Sequence, residues 1–265
     1  TYLPVDSYGM VNVSDIEKAI RPTTILITIM HANNEVGTIQ PIEQISRIAK
    51  GRGIIMHTDA AQSVGKIPTS VNHLGVDLLS IAGHKLYAPK GIGALYIKRG
   101  LQIVKFIHGA GHEQGRRAGT ENAMGIVGLG KACEIATRDL EENMHDMKKM
   151  RGRLYNGLKS RIKEVRLNGH PDMRLPNTLS LSFKGIDVNE LLSEMKDYVA
   201  ASAGAACHSG KAEISHVLKA MGIPTEYAMS TIRFSTGRMT TDKEIDEVVS
   251  IFADAINNKL KETAL

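Results

Sequence analysis

Short, predominantly apolar runs alternate with segments of helical periodicity through the first half of the chain, and this alternation restricts the fold more than any other feature. Residues 25–30 (ILITIM) read as a buried strand, and a helix is expected over 42–50. The run at 54–56 (IIM) opens a second strand that extends to Asp59. Residues 78–82 (LLSIA) give a third strand and 93–97 (GALYI) a fourth. Strands apolar along their length suit a sheet covered on both faces by helices. Strand alternating with helix predicts an α/β architecture, mostly parallel.

The second half reads differently. Helical periodicity runs from near Asn122 to about Lys163 with a break, and its middle is highly charged (ATRDLEENMHDMKKMRGR), as expected of a solvated helix joining two domains. The boundary falls around Glu141, giving a large domain over 1–141 and a small α+β domain over 142–265. Within the latter, strands are expected at 178–183 and 232–235 and a helix at 187–197. The closing helix is expected from 242 to 260, with Thr240 or Thr241 as its N-cap.

Composition narrows the function classes. Hydrophobic residues make up 42% of the 265 and charged residues 23%, the balance of a soluble globular protein. The net charge of +5 comes from 33 basic and 28 acidic residues that are interspersed, so no nucleic-acid partner is expected. No apolar run approaches membrane-spanning length, and no membrane partner is expected. Two cysteines, Cys133 and Cys207, argue against a disulfide scaffold and for a reducing compartment, taken as cytoplasmic, or mitochondrial for a eukaryotic source. The first residue is Thr1, so a processed N-terminus or a fragment is expected. No metal site is expected either: His108 and His112 are separated by glycines that disfavour a helix presenting both to one ion.

Each strand of the first half ends in a polar cluster. The clusters are His31-Ala32-Asn33-Asn34-Glu35, His57-Thr58-Asp59-Ala60-Ala61-Gln62 and Gly83-His84-Lys85. One such cluster alone is read as a cap or turn. Three in succession point to a ligand site, because open α/β sheets bind ligands beyond the carboxyl ends of their strands. A lysine placed there forms Schiff bases when it is partly buried and its pKa is lowered. Pyridoxal phosphate needs such a lysine, and it needs a carboxylate opposite its pyridine nitrogen; Lys85 and Asp59 supply the two types at neighbouring strand ends. The alternatives are a surface lysine and a helix N-cap.

Cys207 lies among small residues (AGAACHSG), which suits a mobile loop carrying a reactive thiol, with His208 beside it. Cys133, in the apolar helical pattern GLGKACEIA, reads as a core residue.

The strings MHANNEVGTIQPI, HTDAAQSVGKIP, GHKLYAPKGIGALYI and GRRAGTEN, followed by RLPNTLSLSF, SAGAACHSG and IRFSTGRMTT, together resemble the NifS/IscS-type cysteine desulfurases along nearly the whole chain. The resemblance implies fold type I, the aminotransferase-like pyridoxal phosphate fold, and a homodimer. It also implies roles. Lys85 would hold the cofactor covalently and Asp59 would pair with its pyridine nitrogen. Gln62 and Asn34 would bond its phenolic oxygen, Asn34 also touching the substrate carboxylate. His84 would help hold the phosphate, and Thr120 would reach the phosphate of the partner subunit. Arg233 would clamp the carboxylate of an amino-acid substrate. Cys207 would take sulfur from cysteine as a persulfide, leave alanine, and pass the sulfur to an acceptor protein for iron–sulfur cluster or other sulfur-containing cofactor synthesis.

The chain departs from that pattern in two places. Ala82 stands where many desulfurases have a serine that bonds the phosphate. The ring-stacking histidine and a phosphate loop of the family belong to an upstream segment, so a fragment that holds the cofactor poorly is the expectation. Two alternatives stay open: a selenocysteine lyase, which GAACHS and Ala82 also fit, and a non-catalytic truncated partner or scaffold.

Overall fold

The computed structural model describes residues 1–208 and 211–263, with backbone alone at 205–208, 211–212 and 263. The chain falls into two compact units. One comprises Ile20–His31 and Pro41–Leu140; the other comprises Thr1–Ala19, Ala32–Gln40 and Glu141–Leu265.

α1 (Val13–Ala19) belongs to the second of these. The first is built on a sheet of β1 (Leu26–Met30), β2 (Ile55–Asp59), β3 (Leu78–Ala82) and β4 (Gly93–Ile97), in that spatial order. β1, β2 and β3 run parallel, and β4 returns antiparallel on β3. α2 (Ile42–Gly51) follows β1 and buries Ile42, Ile45, Ser46 and Ala49, the i, i+3, i+4, i+7 stripe that its sequence predicts. α3 (Val71–Leu74), a single turn not foreseen from sequence, is capped by the Ser70 hydroxyl and stopped by Gly75 at φ 69°. Leu26 of β1 and Leu95 of β4, both on edge strands, are exposed among the described residues. An edge strand has a neighbour on one side only, so apolar composition does not guarantee its burial.

The charged helical stretch resolves into α4 (Ala123–Arg138) and α5 (Leu140–Arg161). The Asn122 side chain caps α4 by accepting from Gly125 N–H. Cys133 of α4 packs against the cluster of Leu86, Leu129 and Ala132, and burial raises its thiol pKa.

In the second unit, β5 (Arg166–Asn168), β6 (Thr178–Ser182), β7 (Ser202–Ala203) and β10 (Thr231–Ser235) form a sheet in the order β5-β6-β10-β7, with every pairing antiparallel. α6 (Val188–Glu194) follows β6 and is capped by Asp187. β8 (Ala205–His208) and β9 (Lys211–Ile214) pair antiparallel, and α7 (His216–Ala220) and α8 (Thr225–Ala228) lead into β10. α9 (Asp242–Thr263) closes the chain. Of the two expected caps Thr241 serves: Glu244 N–H donates to its hydroxyl, and the Glu244 carboxylate accepts from Thr241 N–H at 2.8 Å, a reciprocal capping box. Ile245, Val249, Phe252 and Ile256 of α9 meet Met150, Leu154 and Leu158 of α5 over Leu181, Ile232 and Phe234 of the sheet. Fully burying each such side chain contributes about 1.5–3 kcal/mol.

Residues 1–19 and 32–40 pack with this unit although they precede Glu141. The Gln40 side chain donates to Gly9 O at 2.7 Å and accepts from Val11 N–H, while Leu175 N–H donates to Gly37 O and Ile39 N–H to Met173 O. These bonds join positions far apart in the chain, which spacing and periodicity cannot reveal. No helix among the described residues is long and apolar enough to cross a membrane.

Candidate active site

β2 and β3 are parallel and in register, with Asp59 opposite Ser80, so their carboxyl ends lie side by side. Past the end of β3 the chain makes one 3-10 turn, Gly83–Lys85, before entering the hairpin to β4. Two glycines permit this turn. A Cβ on Gly83 would lie 2.8 Å from Ile92 O, and one on Gly93 would lie 2.6 Å from Ile81 O. Gly83 and Leu86 are buried on either side of the turn, so His84 and Lys85 between them are exposed. Lys85 is exposed among the described residues, where a partly buried lysine is the expectation.

Lys66 is largely buried, and its amine donates to Gln62 O at 3.1 Å and to Lys85 O at 3.3 Å. Burial first, and the charge of Lys85 second, lower its pKa to about 8. Sequence reasoning missed Lys66, whose only signal was its place in the HTDAAQSVGKIP string.

Asp59 ends β2 exposed, and its Oδ1 accepts from Ala61 N–H at 2.8 Å in a local turn that presents the half-buried Gln62. His57, two residues earlier on the same sheet face, spans three strands: its ring nitrogens bond Thr28 Oγ1 at 2.6 Å and Ser80 Oγ at 2.9 Å. Burial lowers its pKa, and the charge of Asp59 opposes that shift. Asp59, Gln62, His84 and Lys85 therefore gather at the carboxyl ends of β2 and β3, within one unit. Thr120 belongs to the same unit but is exposed, in the segment leading into α4. An exposed amine and an exposed carboxylate at adjacent strand ends are a donor set that fits pyridoxal phosphate.

The other unit carries Arg233 and Asn34. Arg233 sits in the middle of β10, in register with Ser180 of β6 on one side and Ser202 of β7 on the other. Its guanidinium donates to Asn34 O at 3.1 Å and to Ser202 Oγ at 3.0 Å, while its Nε is buried without a hydrogen-bond partner among the described residues. The turn bearing Asn34 is shaped by Asn33, whose Oδ1 accepts from Glu35 N–H and Val36 N–H. Arg233, Asn34, Glu35, Ser180, Ser202 and Ser215 line a cavity of about 440 Å³. Each terminal nitrogen of the guanidinium makes one of these bonds and has a second N–H, so a guanidinium lining this cavity is equipped to take a carboxylate.

The segment around Cys207, expected as a loop, is strand in its backbone: Cys207 pairs with Ala212 in the β8–β9 hairpin. The Ser-Gly dipeptide between the two strands is a turn signal that the small-residue reading passed over. The side chains of Cys207 and His208, and Ser209 and Gly210 entirely, lie outside the described residues. Both feet of the hairpin line the Arg233 cavity, Gly204 at one and Ile214-Ser215 at the other.

Residues 1–248 match the aminotransferase class-V family, and the chain belongs to it. Members of that family depend on pyridoxal phosphate, and the α/β fold is their fold type I. The chain is 48% identical over 257 residues to the cysteine desulfurase IscS of Methanosarcina thermophila, covering 97% of this chain and 63% of that protein. A solved NifS-like protein superposes with a TM-score of 0.89 at 39% identity, covering 97% of this chain and 68% of that one. A structure of SspA in complex with cysteine superposes at 0.74 with 35% identity, covering 91% and 67%. The chain thus spans about two thirds of the length of the relatives it matches.

Proposed function

We propose that this chain belongs to a pyridoxal phosphate-dependent cysteine desulfurase, which converts L-cysteine to L-alanine and leaves the sulfur as a persulfide on Cys207. One observation carries the reading: the hairpin bearing Cys207 stands with both feet on the cavity that holds Arg233. A cysteine whose carboxylate is clamped by Arg233 and Asn34 then lies beside the element that carries the acceptor thiol. The cysteine desulfurase name of the Methanosarcina thermophila relative and the cysteine in the SspA structure support the same substrate.

In this reading Lys85 holds the cofactor covalently, Asp59 pairs with its pyridine nitrogen, and Gln62 and Asn34 bond its phenolic oxygen. His84 supports its phosphate, and Thr120 reaches the phosphate in the partner subunit. Bound pyridoxal phosphate supplies an electron sink for the substrate α-carbon. The Lys85 amine would take the α-proton and return it to the α-carbon once the sulfur has left. The Cys207 thiolate attacks the substrate sulfur; the S–S bond forms as the Cβ–Sγ bond breaks, and its electron pair stays on Cβ, which takes a proton. The sum is cysteine plus a thiol giving alanine plus a persulfide. The persulfide then passes to an acceptor protein for iron–sulfur cluster or other sulfur-containing cofactor synthesis. A homodimer is supported by the exposed apolar side chains of Val104, Phe106, Met124 and Val127, which a second copy would cover. A cytoplasmic location accords with a chain that shows no membrane-crossing helix among its described residues.

The test uses the intact native protein, with alanine release and the mass of the Cys207 peptide as readouts. Wild type should release alanine and gain one sulfur atom on Cys207. Cys207→Ala should keep the visible absorbance of the bound cofactor and release no alanine from cysteine. Alanine release by Cys207→Ala at the wild-type rate would refute the reading.

A further inference from the structure

The β8–β9 hairpin is held at two feet by bonds of different kinds. At the first, Gly204 N–H donates to Thr231 O of β10 at 2.7 Å. Glycine is required there, since a Cβ would lie 2.8 Å from the Thr231 side chain. At the second, Ser215 directly follows Ile214, the last residue of β9, and its hydroxyl does two jobs. It caps α7 by accepting from Val217 N–H and Leu218 N–H, and it donates its proton to Glu35 Oε2.

Glu35 comes from a distant part of the chain. It directly follows Asn34, whose carbonyl accepts from Arg233, and it lines the same cavity. It makes no ion pair among the described residues, although it is only half exposed. Taking a carboxylate partly out of water without a cation is unfavourable, and a surface cap has no need of one, because water would serve a serine proton equally well. A bond to a charged acceptor is, however, stronger than one between neutral groups and fixes its donor more tightly.

We propose that Glu35 is a positioning residue for Cys207: through Ser215 its carboxylate fixes the foot of the β8–β9 hairpin against the turn that bears Asn34. The height and angle of the hairpin above the Arg233 cavity are thereby tied to the element that binds the substrate carboxylate. The inference rests on the desulfurase reading and adds a residue that acts through another rather than on the substrate.

The experiment separates substrate binding from sulfur transfer in the intact protein loaded with its cofactor. Cysteine binding is followed by the absorbance change of the bound cofactor, and persulfide formation by the mass of the Cys207 peptide in a single turnover. Misplacing a reacting group by about an ångström slows transfer by one to two orders of magnitude, so Glu35→Ala should form persulfide at least about tenfold more slowly. Its affinity for cysteine should not weaken. Glu35→Gln, whose amide oxygen still accepts from Ser215 but carries no charge, should fall between wild type and Glu35→Ala. Ser215→Asp keeps the α7 cap, sets two carboxylates against each other, and should be as slow as Glu35→Ala; it carries the test if Glu35→Ala does not fold. Persulfide formation at the wild-type rate in both Glu35→Ala and Ser215→Asp would overturn the inference, as would a loss of rate matched by an equal loss of cysteine affinity. A wild-type protein that forms no persulfide on Cys207 would instead overturn the desulfurase reading itself.

Discussion

Acid should loosen the turn that carries Asp59, Gln62 and Ser63, and His31 is the reason. His31 directly follows β1 and is 4% exposed. Its N–H donates to Asp59 O at 2.8 Å, and its Nδ1 lies 2.9 Å from Ser63 Oγ. The Ser63 hydroxyl already gives its proton to Ala60 O at 3.2 Å, so the imidazole is assigned as the neutral tautomer that donates from Nδ1. Ser63 is therefore held by an uncharged ring, while Asp59 O is held by the backbone N–H of the same residue. Burial lowers its pKa from 6.5 to about 4. The unfolded chain binds the proton more readily than the folded one, so stability is fully present above pH 6.5 and declines as the pH falls towards about 4. At 1.36 kcal/mol per pH unit the whole interval amounts to about 3 kcal/mol, close to a third of the stability of an ordinary domain. The perturbation is pH, applied to wild type and to His31→Gln, which keeps a donor for Ser63 and does not titrate. Urea unfolding at successive pH values gives two stability curves, and their difference removes the carboxylates common to both. The difference should change by about 3 kcal/mol between pH 6.5 and 4. A flat difference curve, or an NMR titration placing His31 near 6.5, would refute the reasoning.

Two further outcomes follow from the same region. Lys85→Met removes the second cause of the depressed Lys66 pKa while leaving burial in place, so that pKa should rise above about 8 and stay below 10.5, read from the NMR titration of isotopically methylated lysines; no change would mean that the two amines do not sense each other. Gly93→Ala forces a methyl group to 2.6 Å from Ile81 O and should cost about 1–3 kcal/mol, measured as a lower urea midpoint at unchanged slope, whereas Gly91→Ala, with open space around its Cβ but φ at 82°, should cost less.

Much of the site's scaffold was legible because it is local. The apolar runs at 78–82 and 93–97 became β3 and β4 with those bounds, and the stripe at Ile42, Ile45 and Ala49 became the buried face of α2. Thr241 and Glu244 are three residues apart, so their capping box could be read directly. The polar clusters after β2 and β3 were legible for the same reason, since in-register parallel strands deliver their carboxyl ends to one edge. The loop assigned around Cys207 failed because small residues also fit a strand when a partner strand lies close by.

What the sequence determined by itself was therefore the set of chemical groups and the turns and strand ends that present them. Apolar period, glycine and capping residues act within a few positions, and the family strings record the groups in order. Only the tertiary structure decided which of those groups share a bond. It set Arg233 between Ser180 and Ser202, gave the Lys66 amine to the carbonyls of Gln62 and Lys85, and joined Glu35 to Ser215. These contacts depend on strand order and on the path of distant segments. A carboxylate and a hydroxyl so far apart in the chain leave no periodic mark, because what brings them together is the packing of everything between them.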